Sequence, residues 1–239
     1  MNATRRPRVL PSLAIVLGAL ALTVTAFGLW RAWEGGSAVS QSQGSRTVVV
    51  VGDSNTEADS RDFGAGRIGE SSWVHWLLAE PGLEFAGGWA LAGSTSADQA
   101  IAVSAMPDFD APDELLVMTG TNDLTVSLEF EVAERSLDLI VDKVGASHVT
   151  ILAIPPRDDV LAVAAIEFNA RLAALAADRG WGFFDGFAEV RLPSGGFVAG
   201  ATTDGIHLAR DVAERFGADV ARQLRAQQSS RLDAPPAVG

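Results

Sequence analysis

Three short runs contain only apolar or β-branched residues: Thr47–Val51, Leu115–Met118 and Val149–Ile154. Each is closed by chain-breaking residues, namely Gly52, Gly120 after one Thr, and the pair Pro155-Pro156. A strand exposed on one face alternates apolar with polar, whereas a strand buried on both faces reads as an unbroken apolar run. Trp181–Phe184 reads as a fourth strand, and Leu83–Leu91 as another, interrupted by Gly87 and Gly88. Helical patterns lie between these runs. Glu129–Val144 places Phe130, Ala133, Leu137, Ile140, Val141 and Val144 close to a 3.6-residue period. Leu161–Asp178 is Ala-rich and stops at Gly180. Leu208–Leu224 carries Val212, Phe216, Val220 and Leu224 at intervals of four, and Ser72–Leu78 forms a shorter helix. Apolar strands alternating with amphipathic helices predict an α/β domain whose parallel sheet is covered on both faces. Such sheets bind ligands beyond the carboxyl ends of their strands.

The first thirty residues follow another logic. Met1–Arg8 holds Arg5, Arg6 and Arg8 and no acid, and the 22 residues Val9–Trp30 carry no charge. As a helix that stretch would reach about 33 Å, against a bilayer core of about 30 Å. It is longer than the apolar part of an ordinary signal peptide. It therefore reads as an uncleaved signal anchor in preference to a cleaved signal, for which Ala38-Val39-Ser40 is the available cleavage site. The arginines should remain cytoplasmic and the rest lie outside. The expected organisation is a basic stub 1–8, a transmembrane segment 9–30, a Gly/Ser/Gln-rich linker 31–46, a working domain 47–226 and a disordered tail 227–239.

The 239 residues carry a formal charge of −12, and all 30 acidic residues follow Arg31. An acidic domain has no long-range attraction for phosphate backbones, so no nucleic-acid partner is expected. The absence of Cys excludes disulfides, thiolate metal sites and a Cys nucleophile.

Three segments at expected loop positions carry chemistry. Gly52-Asp53-Ser54 follows the first strand and puts a hydroxyl beyond its carboxyl end; a turn or helix cap made by Asp53 or Ser54 is the competing explanation. Gly120-Thr121-Asn122-Asp123 follows the Leu115 strand, where Asn122 offers an amide N–H to a developing oxyanion. Asp204-Gly205-Ile206-His207 precedes the last helix. A carboxylate three residues before a His can fold back onto one ring nitrogen and leave the other to take a proton from Ser.

Taken together and in this order, these blocks resemble those of the SGNH hydrolases, the GDSL esterase/lipase family. The family's isolated Gly block is best matched by Gly93 in Ala92-Gly93-Ser94-Thr95, with Gly87 and Gly88 as competitors. The resemblance spans nearly all of residues 47–226. It implies a three-layer α/β/α sandwich of flavodoxin-like type with a parallel sheet of about five strands. It also implies Ser54 as nucleophile, His207 as general base and Asp204 as the acid that orients it. The oxyanion hole would be the Ser54 N–H, the Gly93 N–H and the Asn122 side chain, with no metal and no organic cofactor. Two positions depart from the usual pattern: Asn55 stands where Leu is frequent, and Ser94 where Asp is frequent.

Asp53 and Asp123 read either as braces of their loops or as plain turn residues, and Arg157 as lining the site or as a surface residue. His75 and His148 read as structural. Glu57, Asp59 and Asp62 read as a solvated loop, not a cation site. Trp73 and Trp76 read as core, and Trp89 stands near enough to the Gly93 block to be weighed as a substrate contact. The expected function is an extracytoplasmic serine esterase acting on a small-molecule, glycan or lipid acyl ester and held to the membrane by its N-terminal helix. The alternatives are an acyltransferase with a sugar hydroxyl as acceptor, and a non-catalytic glycan-binding module. Acyl chain length, alcohol moiety and oligomeric state are not legible in the sequence.

Overall fold

The computed structural model describes residues 45–232. The stub 1–8, the apolar segment 9–30 expected to span a membrane, most of the linker and the end of the tail lie outside the described residues. Among the described residues no helix is long and apolar enough to cross a membrane.

Five strands form one sheet: β1 (Arg46–Gly52), β2 (Leu83–Ala90), β3 (Glu114–Met118), β4 (His148–Leu152) and β5 (Gly182–Phe184). All are parallel, in the order β2-β1-β3-β4-β5. The helices are α1 (Ser54–Glu57), α2 (Trp73–Ala79), α3 (Ser96–Ser104), α4 (Thr121–Thr125), α5 (Phe130–Val144), α6 (Ala162–Arg179) and α7 (Arg210–Leu232). The continuous apolar runs have the predicted cause. Successive side chains of a strand point to opposite faces, and both faces are covered. Val48 and Val50 pack with Leu116, Met118, Trp73, Leu77 and Phe216 on the face of α2 and α7. Val49 and Val51 pack with Leu115, Val117, Val103, Leu137, Ile140 and Leu172 on the face of α3, α5 and α6. Each such fully buried side chain contributes roughly 1.5–3 kcal/mol relative to exposure.

The glycines that interrupted the β2 pattern coincide with a slip of register. Val48 faces Phe85, but Val49 faces Gly87, so one residue of β2 is left over. A bulge of this kind bends an edge strand without ending it. The last helix runs to Leu232, past the sequence boundary at Ala226. Helix α3 has no counterpart in the sequence analysis. Its start is fixed by a capping box in which Thr95 accepts from the Asp98 N–H while Asp98 accepts from the Thr95 N–H.

Candidate active site

The chain turns from β1 toward β2 on one side and toward β3 on the other, so a crevice opens beyond the carboxyl ends of these strands. Ser54, Gly93 and Asn122 follow β1, β2 and β3 at that edge, and the Thr202–Ala209 loop supplies Asp204 and His207. Asp53 caps the single turn α1: its Oδ1 accepts from the Asn55 N–H at 3.0 Å. Ser54 is the first residue of that turn, where a main-chain N–H has no intrahelical acceptor.

His207 Nε2 lies 2.9 Å from Ser54 Oγ, and His207 Nδ1 lies 2.7 Å from Asp204 Oδ2. An ionised carboxylate only accepts, so Asp204 accepts a hydrogen bond from the Nδ1–H, which fixes the proton on Nδ1 and leaves the Nε2 lone pair facing the hydroxyl. The other oxygen of Asp204 accepts from the main-chain N–H groups of Ile206 and His207, at 3.0 and 2.8 Å. The hydrogen bond from the His207 ring, supported by those two N–H groups, lowers the Asp204 carboxyl to about 2.

Asn55, identified from the sequence only as a departure from the usual pattern, fastens this loop to the turn that carries Ser54. It is buried. Its Oδ1 accepts from the Leu208 N–H at 3.1 Å, and its Nδ2 donates to the Ile206 carbonyl at 3.4 Å. The two bonds bracket His207. A polar residue next to Ser54 with no chemistry of its own was the available signal, but its partners lie 151 and 153 positions away.

Gly93 and Asn122 face each other through Ser94. The Asn122 Nδ2 donates to the Ser94 carbonyl at 2.8 Å, and an amide nitrogen has a second proton to offer. Asp123 is buried and accepts from the Ser96 N–H at 2.9 Å and from the Ser96 hydroxyl, so it braces the loop. Gly120 has φ +124°, and a Cβ there would strike the Phe168 ring, so only Gly fits. At Gly93 the requirement is of another kind: no protein atom lies within 4 Å of where its Cβ would be, and the demand comes from φ +77°.

Asp53 is fully buried beside these groups. Burial lifts its carboxyl to about 6, against the pull of the Asn55 N–H; the His207 side lowers it and the Asp123 charge raises it. A cavity of about 420 Å³ opens over Ser54 and His207, walled by Asn55, Asp59, Ser71, Thr203 and Arg210. A larger hollow of about 750 Å³ between Phe184–Glu189 and α7 shares no residue with it and holds no nucleophile.

The remaining residues sort by position. His148 starts β4, so it sits at the opposite, amino edge of the sheet, and His75 packs its ring edge-on against Trp76. Glu57 accepts from the Ala92 N–H at 2.5 Å, Asp59 from the Ser71 N–H at 2.9 Å, and Asp62 pairs with Arg67. These acids therefore staple loops, and among the described residues no cluster is arranged to hold a metal. Trp73 is core against Phe216, the Trp76 Nε1–H donates to the Glu70 carbonyl, and Trp89 packs on the apolar face of α3. Arg157 is buried, contrary to the surface alternative.

Comparison with known proteins agrees with this geometry. The profile of the GDSL-like Lipase/Acylhydrolase family matches residues 50–215. Among solved structures, TesA superposes with a TM-score of 0.59 at 25% identity, covering 76% of this chain and 99% of that one. A member of the lipolytic protein G-D-S-L family from Veillonella parvula gives 0.55 at 17%, with the same two coverages. A carbohydrate acetylesterase family member from Sinorhizobium meliloti gives 0.54 at 22%, covering 76% and 98%. A search of curated proteins returns no match. The profile takes in all the strands but the start of β1 and spans every block from Ser54 to His207; the chain belongs to the GDSL-like lipase/acylhydrolase family and is a carboxylic ester hydrolase.

Proposed function

We propose that the chain is an extracytoplasmic serine esterase that cleaves short acyl esters through an acyl-Ser54 intermediate. The carrying observation is the Ser54 Oγ–His207 Nε2–Asp204 relay, with contacts of 2.9 and 2.7 Å. Ser54 Oγ attacks the ester carbon as its proton passes to His207 Nε2. The carbonyl oxygen becomes an oxyanion held by the Ser54 N–H, the Gly93 N–H and the second Asn122 Nδ2 proton. The ester C–O bond breaks, and His207 returns the proton to the leaving alcohol. Water then repeats the sequence against the acyl enzyme, giving the acid and free Ser54. Asp204 stays ionised throughout, because its carboxyl is already held at about 2.

A short acyl group, acetyl being the simplest, is supported by the limited volume of the 420 Å³ cavity, whose lining mixes Ala58, Ala92 and Leu208 with Asp59, Ser71 and Thr203. The Sinorhizobium meliloti relative carries the description carbohydrate acetylesterase, which favours a sugar as the alcohol. The extracytoplasmic site and the tether to a membrane rest on the uncharged segment Val9–Trp30 and the arginines before it.

The test uses the purified chain and p-nitrophenyl esters of rising chain length. Acetate should be the best substrate, an aryl phosphonate should label Ser54, and Ser54→Ala should lose at least about 10³-fold in kcat with an unchanged melting temperature. Turnover retained by Ser54→Ala would end the reading. Pulse labelling with an acetylated glycan as donor and a free sugar as acceptor separates hydrolysis from transfer.

A further inference from the structure

Arg157 is the largest polar side chain buried among the described residues, at 1% exposure, and none of the steps above uses it. A guanidinium cannot shed its charge, and burying it is costly unless every donor finds a partner. Here the fork is divided between two tasks. Nε and Nη2 close on Asp159, with Nη2–Oδ2 at 2.6 Å. Nη1 points the other way, to the Thr121 carbonyl at 2.7 Å and the Thr125 hydroxyl at 3.1 Å. Those acceptors belong to α4, whose second residue is Asn122.

Asp159 is itself anchored. Its Oδ1 accepts from the Leu161 N–H at 2.9 Å, where the chain enters α6, and the Arg157 hydrogen bonds hold its carboxyl below the usual range. The residue between them reaches the other half of the site. The Asp158 N–H donates to the Gly205 carbonyl at 2.8 Å, in the loop carrying Asp204 and His207, and Asp158 Oδ1 accepts from the Phe197 N–H at 2.7 Å. One tripeptide beyond β4 thus touches the segment that bears the amide and the segment that bears the imidazole.

The geometry points to Arg157 as a positioning residue for the reaction: through Thr121 it sets where the Asn122 amide stands relative to the Ser54–His207 pair, and Asp158 ties that setting to the Asp204–His207 loop. This rests on the oxyanion role given to Asn122. Its physical basis is that α4 is a single short turn capped by Gly120, which has no side chain to hold it. The Asn122–Ser94 and Asp123–Ser96 bonds hold it from the Gly93 side; the Arg157 fork fixes its first carbonyl from the other, and stabilising an oxyanion demands placement to a fraction of an ångström. A planar fork has a defined reach that a Lys at the same place cannot reproduce.

The experiment is a double-mutant cycle on the full chain with p-nitrophenyl acetate: wild type, Asn122→Ala, Arg157→Lys and the double variant, with kcat and KM determined separately. Asn122→Ala should lower kcat by about 10²-fold. Arg157→Lys should lower kcat by about tenfold with KM within about twofold, and by less than about twofold when Asn122 is already Ala. An equal factor in both backgrounds means that Arg157 does not act through Asn122, and the inference fails while the mechanism stands. Unchanged kcat in Asn122→Ala removes the oxyanion role itself, and the inference with it. If Arg157→Lys does not fold, Asp159→Asn, which keeps an acceptor for the Leu161 N–H but removes the charge that holds the guanidinium fork and leaves the bonds within α4 untouched, carries the same test. It should show a loss of about threefold in the wild-type background and none beside Asn122→Ala.

Discussion

The two edges of the sheet use polar side chains in opposite ways. At the amino edge, Arg46 pairs with the buried Glu114 and donates to the Leu224 carbonyl, while Asp113 accepts from both the Thr47 N–H and the Thr47 hydroxyl. His148 adds its ring to the same cluster, 3.5 Å from Glu114. These groups bond to one another and lock β1, β3, β4 and α7 together. At the carboxyl edge the partners are equally close, yet donors are left over: the Gly93 N–H makes no hydrogen bond among the described residues, and one Asn122 proton is uncommitted. One edge closes the structure and the other keeps capacity for a ligand. The difference also explains why sequence spacing found one and not the other: the catalytic blocks are short motifs, whereas the amino-edge cluster is built from residues that look ordinary one at a time.

The sharpest way to break this contrast is Glu114→Ala. Removing one member of a buried ion pair costs about 3–5 kcal/mol, so chemical denaturation should show a loss of that order, while kcat per folded molecule stays within about twofold. A loss of kcat comparable to that of a site variant would mean that the two edges are not independent.

Asp53 sharpens the comparison, because it is a fully buried carboxyl at the carboxyl edge whose burial outweighs the groups that lower it. Its folded value of about 6 lies above the 3.8 of an unperturbed Asp. The folded state therefore holds that proton more tightly, and stability is lost as pH rises from about 4 through 6, by about 2–3 kcal/mol. Asp204 runs the opposite way. Its depressed value of about 2 gives stability that is present above pH 4 and lost as pH falls toward 2. Asp53→Asn keeps the cap to the Asn55 N–H and should abolish the slope between pH 4 and 6 in urea melts. A slope identical to wild type would assign that titration to another group.

The smallest effect is expected at Asn55. Asn55→Ala removes both bonds that bracket His207 and should reduce kcat by about tenfold with KM little changed. If KM rises and kcat does not, Asn55 is a substrate contact and not a brace.

Asn55 also marks how far the sequence is legible. Val48–Val51, Leu115–Met118 and the 3.6-residue stripe of α5 announce the sheet and one of its covering layers, since burial on both faces leaves its mark on every residue. Ser54, Asn122, Asp204 and His207 are legible because their motifs are local. The Gly93 position is legible and its backbone demand is not: φ +77° becomes visible only in three dimensions. Helix α3 escaped because its apolar stripe is weak and its evidence is the Thr95–Asp98 box. The roles of Arg157 and Asn55 depend on partners 36 and 153 positions away, and no local pattern encodes such pairings.

That separation has a consequence for how the enzyme comes into being. The hydroxyl sits just after the first strand and its base just before the last helix, 153 residues later, and α7 is held down by Phe216 against Trp73. On the mechanism proposed above, a chain made from its amino end exposes Ser54 early and stays chemically inert until nearly all the rest has emerged and the final helix has docked. Half-built copies are therefore silent toward every ester around them, and catalytic competence reports that assembly is complete.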